Sequence, residues 1–264
     1  MVRTLTTAAT GMQAQQFYMD NISNNLSNLH TVGFKRTKVE FQDLMYQAIR
    51  EPGVRNFEGG MAPAGIEVGL GVRSSSTNRI FEQGAPEQTS NPYDVAIFGE
   101  GMFQIMLPDG STAYTRDGTF KVSSDGSLVT SSGFFVLPQV AIPEGVSGDN
   151  VMISGDGRIS VLMPGDINTT EIGQFELARF INPSGLRALG GNLFGATDAS
   201  GAPIISTPTE DGAGALQQRY IESSNVNLVD EMVNMIGAQR AYEIVAKAIQ
   251  AGEEMLQVAN NLKR

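Results

Sequence analysis

Residues 223–264 read SSNVNLVDEMVNMIGAQRAYEIVAKAIQAGEEMLQVANNLKR. The stretch has no proline, and its two glycines, Gly237 and Gly252, stand far apart. Most of the other residues favour or tolerate a helix. Leu228, Met232, Met235, Gln239, Tyr242, Ala246, Ile249, Gly252, Leu256 and Ala259 follow at steps of four and three. Such spacing predicts a long helix with a heptad seam. Ser224 or Asn225 can cap its start, Asp230 and Glu231 suit the positive end of the dipole, and Lys263 and Arg264 suit the negative end. The seam is thin, since it includes Gln239, Gly252 and two alanines. A helix that buries so little area per turn needs a partner, either inside the chain or in another copy.

The first segment mirrors the last. Leu5, Ala8, Met12, Gln15, Met19, Ile22, Leu26 and Leu29 also step by threes and fours, again with no proline. Both ends are therefore read as lean amphipathic helices that pack on each other or on copies. Isolated helices of this kind are marginal in water. The reading expects both ends to be largely unfolded in a free monomer and to order on assembly. Asn21, Asn24, Asn25 and Asn28 crowd the end of the first helix. Asparagine favours caps, turns and packed polar contacts, so this is either an ordinary helix end or a polar joint between neighbouring subunits. Gly33 is expected to end the helix or open a turn.

Between the ends the pattern changes. Residues 42–65 carry Pro52, Gly53, Gly59, Gly60, Pro63 and Gly65 and give few strand signals, so they are read as a linker or insertion. From Ile66 to about Gln218 the period is two, in short runs such as DVAIFG, MFQIML and SLVTSSGFFVL. Asp-Gly pairs start at 109, 117, 125 and 156 and predict hairpin turns. The expected core aromatics and their neighbours are Phe98, Met102, Phe103, Tyr114, Phe120, Phe134 and Phe135. The fold class is α+β: N- and C-terminal helices paired as a coiled-coil-like core, with an inserted antiparallel all-β domain. The boundaries expected are 1–41, 42–65, 66–218 and 219–264.

Composition excludes several function classes. Formal charge is −10, and residues 51–214 hold eight Lys/Arg against nineteen Asp/Glu. An acidic middle argues against nucleic acid as a partner. There is no cysteine, and His30 is the one histidine. No Ser-His-Asp or Cys-His site assembles without His30, which reads as a polar turn residue. No metal-ligand cluster, phosphate loop or dinucleotide fingerprint is present, and Gly99-Glu100-Gly101 lacks the third glycine. The four Asp-Gly aspartates lack the ligand spacing of a calcium loop. No catalytic, cofactor or metal residue is assigned. No run of 18 apolar residues exists, so no membrane insertion is expected. The N-terminus lacks the apolar core of a cleavable signal peptide, so export would use another route.

SNNLSNLHTVGFKR (23–36) together with SNVNLVDEMVNMIGAQRAYE (224–243) resembles the paired terminal signature of the flagellar axial proteins, the rod and hook subunits of the bacterial flagellum. MYQAIREPG (45–53), VGLGVR (68–73), DVAIFGEGMFQIMLPDGSTAYTRDGTF (94–120) and LVTSSGF (128–134) are similar to the distal rod type within that family. The likeness covers nearly the whole chain; Ser27 replaces a usual alanine. It implies a structural subunit whose terminal helices form the inner core of a hollow tube, exported without a cleaved signal and placed in the periplasmic distal rod. Implied partners are the same chain, proximal rod proteins, hook or hook-junction subunits, a rod cap and the surrounding P and L ring proteins. The implied interface is the two seams, with Leu5, Met12, Met19, Ile22, Leu26, Leu228, Met232, Met235, Ile249 and Leu256, and Asn24, Asn25, Gly33, Phe34, Asn225, Asn227, Gln239, Arg240 and Tyr242 at joints. Tyr46–Gly65 matches an insertion implied to stiffen the tube. Hook or proximal rod paralogues, and a coiled-coil-stalked surface-binding module, are the alternative readings.

Overall fold

The computed structural model describes residues 2–51, 64–143, 145–163 and 168–261. The chain divides into two compact units. Unit 1 takes 1–27, 37–78 and 227–264, and unit 2 takes 28–36 and 79–226. These limits differ from the expected ones in three places. Residues 28–36 leave the N-terminal helix, 66–78 join the helices, and 219–226 belong with the strands.

In unit 1 the helix α1 spans Val2–Ser27 and α2 spans Leu228–Asn261. Four strands accompany them: β1 (Thr37–Asp43), β2 (Tyr46–Arg50), β3 (Ile66–Gly69) and β4 (Val72–Arg79). β1 pairs with β4, and β2 pairs antiparallel with β3. The segment expected as a linker thus contains a strand, and 52–63 lie outside the described residues. The helices run antiparallel. A β-carbon at Gly252 would stand 3.0 Å from Leu5, Gly11 lies against Val245, and Asn25 reaches Glu231.

The seam of α1 is where the sequence places it: Leu5, Ala8, Met12, Gln15, Met19 and Leu26 are half-buried and Ile22 is buried. α1 carries a second inward stripe, Ala14, Tyr18, Asn21 and Asn25. Tyr18 meets Phe41 of β1 edge-on at 6.2 Å between centroids, and Thr10 accepts the amide of Val72. The inward face of α2 overlaps the expected one and departs from it in part. It is Glu231, Met235, Ala238, Tyr242, Val245, Ile249, Gly252 and Leu256. Leu228, Met232 and Gln239 are exposed. Two heptad stripes interleave on this helix and share Met235, Tyr242, Ile249, Gly252 and Leu256, and Ala246 of the expected one is half-buried. The stripe completed by Ala238 and Gly252 is small enough to admit the neighbouring helix at close range.

Unit 2 is built from short strands. They are β5 (Pro86–Gln88), β6 (Val95–Phe98), β7 (Met102–Met106), β8 (Thr112–Thr115), β9 (Lys121–Val122), β10 (Leu128–Val129), β11 (Phe135–Leu137) and β12 (Val151–Ile153). Next come β13 (Arg158–Leu162), β14 (Thr169–Gln174), β15 (Leu177–Arg179), β16 (Arg187–Gly190), β17 (Leu193–Gly195), β18 (Ile204–Ser206), β19 (Ala215–Gln218) and β20 (Tyr220–Glu222). β7 is the hub, pairing antiparallel with β8, β11 and β15. The Asp-Gly turns at 109, 125 and 156 close the hairpins β7–β8, β9–β10 and β12–β13. Asp117-Gly118 joins strands that do not pair. There the Asp117 carboxylate accepts the Thr119 amide at 3.0 Å, and burial raises its pKa.

Alternation along β7 serves two cores. Phe103 and Ile105 enter the main one, where Phe103, Phe120 and Phe175 form an aromatic cluster with centroids 5.0–6.0 Å apart. Met102 enters the smaller one, with Tyr114, Phe180 and Phe194. Of the expected core residues, Met102, Phe103, Tyr114 and Phe120 are buried, while Phe98, Phe134 and Phe135 are half-buried. Phe175, fully buried between β14 and β15, was not anticipated. Phe103→Ala should lower the stability of unit 2 by about 3–5 kcal/mol, through lost burial and the cavity left behind. Urea unfolding followed by near-UV circular dichroism measures this.

Candidate assembly surface

Three arrangements account for most of the residues singled out in the sequence. The first is a polar joint within unit 1. The Asn25 side chain donates to the Thr37 carbonyl at 2.9 Å and accepts the Thr37 amide at 2.9 Å. It also donates to Glu231 of α2 at 3.4 Å. Asn21 donates to the Thr37 hydroxyl at 2.7 Å. These asparagines copy the ladder of a β-strand, tying α1 to β1 through side-chain amides. The joint lies inside one chain, not between subunits as the sequence reading allowed. Asn24 is exposed on α1. Asn227 is the true cap of α2: its side-chain oxygen accepts the Val229 amide at 3.0 Å and its carbonyl accepts that of Glu231. Ser224 and Asn225 do not cap the helix.

The second lies in unit 2. Gly33 sits in a turn at φ +69° and donates its amide to the Glu222 carbonyl at 2.7 Å. A side chain there would collide with the backbone at Asp117. Asn225 accepts the Arg36 amide at 2.7 Å and donates to Ile80 and Glu82 carbonyls, and its own amide reaches the Phe34 carbonyl. The Glu222 carboxylate is 1% exposed and takes Lys35 Nζ at 2.5 Å, Arg116 Nε at 2.8 Å and the Gly84 amide at 2.8 Å. Burial pushes the Glu222 pKa up, but Arg116 and Lys35 outweigh it and hold the carboxyl below its usual range. Burial lowers the pKa of Lys35, which Glu222 offsets only in part. Nothing in the sequence reading pointed to this cluster. The Gly99-Glu100-Gly101 turn, set aside as a dinucleotide motif, supplies two carbonyls to Arg116.

The third is an open face of α2. Val229, Val233, Ile236, Ile244, Met255 and Val258 are all exposed, with Val229 and Ile244 at 66% and Val233 at 62%. They lie on one stripe of steps four and three, continued by exposed Arg240, Lys247 and Ala251. Leu228 and Met232 flank it, also exposed. The β2–β3 ribbon adds exposed Met45, Tyr46, Ile49 and Ile66. His30 is exposed in the turn after α1. Among the described residues no group of three His, Cys, Asp or Glu could hold a metal, and no helix is long and apolar enough to cross a membrane.

Three family descriptions match these parts in turn. The family of flagella basal body rod proteins matches residues 5–35, the FlgE/F/G D1 domain of flagellar hook proteins matches 96–161, and the C-terminal domain of flagellar basal body rod FlgEFG proteins matches 217–262. The flagellar basal-body rod protein FlgG of Borreliella burgdorferi is 50% identical over 264 residues, all of both chains. That of Caulobacter vibrioides is 45% identical over 99% of this chain and all of its own. That of Bacillus subtilis is 36% identical across the full length of both. The chain belongs to the flagellar basal-body rod protein FlgG family. It is a structural subunit of the flagellar rod, a component of the basal body.

Membership in the FlgG family accounts for a chain whose singled-out residues join backbone to backbone and helix to strand. Asn25→Ala should cost about 1–3 kcal/mol by leaving the Thr37 amide without its buried partner, and urea unfolding reports it. Glu222 sets a pH dependence. Its folded pKa lies below the ordinary value of about 4.3, so its contribution is complete above that value and lost as pH falls through the folded one. Acid unfolding of the wild type should therefore steepen below about pH 4, and Glu222→Gln should flatten that limb.

Proposed function

We propose that copies of this chain stack into the distal part of the rod, a hollow helical shaft that carries torque from motor to hook and lets exported subunits pass. The α1–α2 pair of each copy, in coiled-coil-like register, lines the inner tube. The open stripe of α2 from Val229 to Val258 seats against the next copy. The P and L rings surround the shaft. Proximal rod proteins, hook or hook-junction subunits and a rod cap meet the shaft at its ends. The chain works in the periplasm, and its role is mechanical, with no catalysis and no cofactor. Arg240, on the open stripe, and Leu228 and Met232 beside it, belong to this interface.

The observation that carries the reading is the orientation of α2. Beyond the face that meets α1, it exposes a continuous run of aliphatic side chains, Val229, Val233, Ile236 and Ile244, which is costly for a helix that stays alone in water. The exposed apolar side chains of β2 and β3 support a bracing role for the ribbon and the adjoining insertion. A two-stranded ribbon open on both faces is marginal without something packed on it.

Val233→Asp should abolish filaments seen by electron microscopy of concentrated protein, while near-UV circular dichroism of the β unit stays unchanged. Wild-type filaments from this variant would refute the stripe as an interface.

A further inference from the structure

The Glu222 cluster has a feature that packing alone does not require. Its members come from far apart in the chain: Lys35 is 187 residues from Glu222, and Arg116 is 106. Lys35 and Glu222 are each 1% exposed and Arg116 is 5% exposed. Every other contact of the two cations is to a carbonyl: Lys35 to Glu82, and Arg116 to Ile97, Gly99 and Gly101. The Glu82 carboxylate is itself mostly exposed and lies 4.0 Å from Arg36 instead. One carboxylate therefore serves two buried cations. Around it, residues 28–36 and 219–226 are stitched to each other and to the β body, by Gly33 to Glu222, Asn225 to Phe34, Ser223 to Ala85, and β20 to β5.

We infer that Glu222 is a late-closing latch, which fastens both connector segments of unit 2 to the β body in one all-or-none step. The physical grounds are two. Two buried cations without their carboxylate carry a large desolvation cost, so the cluster has no stable half-formed state. Contacts closing such long loops form after the local hairpins that build their walls, because loop entropy is spent before the contact returns anything. β7, β8 and β9–β11 are local and can form first. Lys35 and Arg116 become fully desolvated only when β20 brings Glu222 in. Opening the latch strands both cations and frees both connectors at once, so neither end of unit 2 loosens alone.

The test uses the full chain, as wild type, Glu222→Gln, Lys35→Met and the double variant. Stopped-flow unfolding and refolding in urea and native-state hydrogen exchange are measured on each. Glu222→Gln should speed unfolding by about tenfold or more and leave refolding within about twofold, as for an interaction absent from the transition state. The amides of Gly33, Gly84, Ser223 and Asn225 should lose protection together, while those of Gln104 and Ile105 in β7 keep theirs. The double variant should unfold more slowly than the product of the single effects, since removing Lys35 relieves one stranded charge. If Glu222→Gln does not fold, Lys35→Met carries the same kinetic and exchange criteria, because it breaks one of the two ion pairs and leaves the Arg116 pair in place. A slowed refolding limb, independent exchange of the four amides, or additive single effects would overturn the latch.

Discussion

Each unit is closed by contacts between the two ends of the chain. In unit 1, Leu5 meets Gly252, Gly11 meets Val245, and Asn25 meets Glu231. In unit 2, Gly33 donates to Glu222 and Lys35 pairs with it. Joining residues some two hundred positions apart costs chain entropy that only the completed contact returns. Neither unit is therefore finished until the last fifth of the chain has arrived. The polar groups at these closures are saturated. Asn25 uses both ends of its amide on Thr37, and both Glu222 oxygens are taken. Burial of polar groups is tolerable only on those terms.

Local features of the fold were legible and distant ones were not. The Asp-Gly pairs at 109, 125 and 156 close hairpins, because a hairpin turn is decided by the residues within it. The seam of α1 was legible because a single heptad stripe carries its large apolar groups. On α2 the expected stripe held Met235, Tyr242, Ile249, Gly252 and Leu256 of the inward face, while Leu228, Met232 and Gln239 drew it away from Glu231, Ala238 and Val245. Size signals burial in a solvated helix, but close helix approach also admits small residues, and Ala238 carries no size signal to find it by. The cap was misplaced for a similar reason. SSNVN offers four capping side chains, and only the entry path of the chain selects Asn227. The pairing of β6 with β19 has no local mark at all. Glu222 was invisible because a single buried acid leaves no period to detect.

The expected polar joint illustrates how function and structure separate. Four asparagines near the end of α1 left open an ordinary helix end or contacts between subunits. Asn21 and Asn25 instead serve Thr37 of the same chain. A side-chain amide offers a donor and an acceptor in the geometry of a peptide group, so it can extend a strand's ladder onto a helix. That use makes the N-terminal helix and β1 one rigid piece without any neighbour. What unit 1 leaves exposed is largely apolar: the outward stripe of α2 and the β2–β3 ribbon.

A helix pair built for solitary life in water would turn Val229, Val233, Ile236 and Ile244 inward and leave Ala238 and Gly252 outside, since each large aliphatic group gains about 1.5–3 kcal/mol on full burial. This pair does the reverse. The arrangement makes sense if the inward face is chosen for closeness, and the outward face for what a second copy supplies. Close approach through alanine and glycine gives a stiff pair with little play. The aliphatic stripe then gains its burial only on association, so the free energy of hiding it is spent on joining copies and not on holding one copy together. A subunit arranged in this way is weak alone and firm in an array, which is the physical requirement of a shaft assembled from identical pieces.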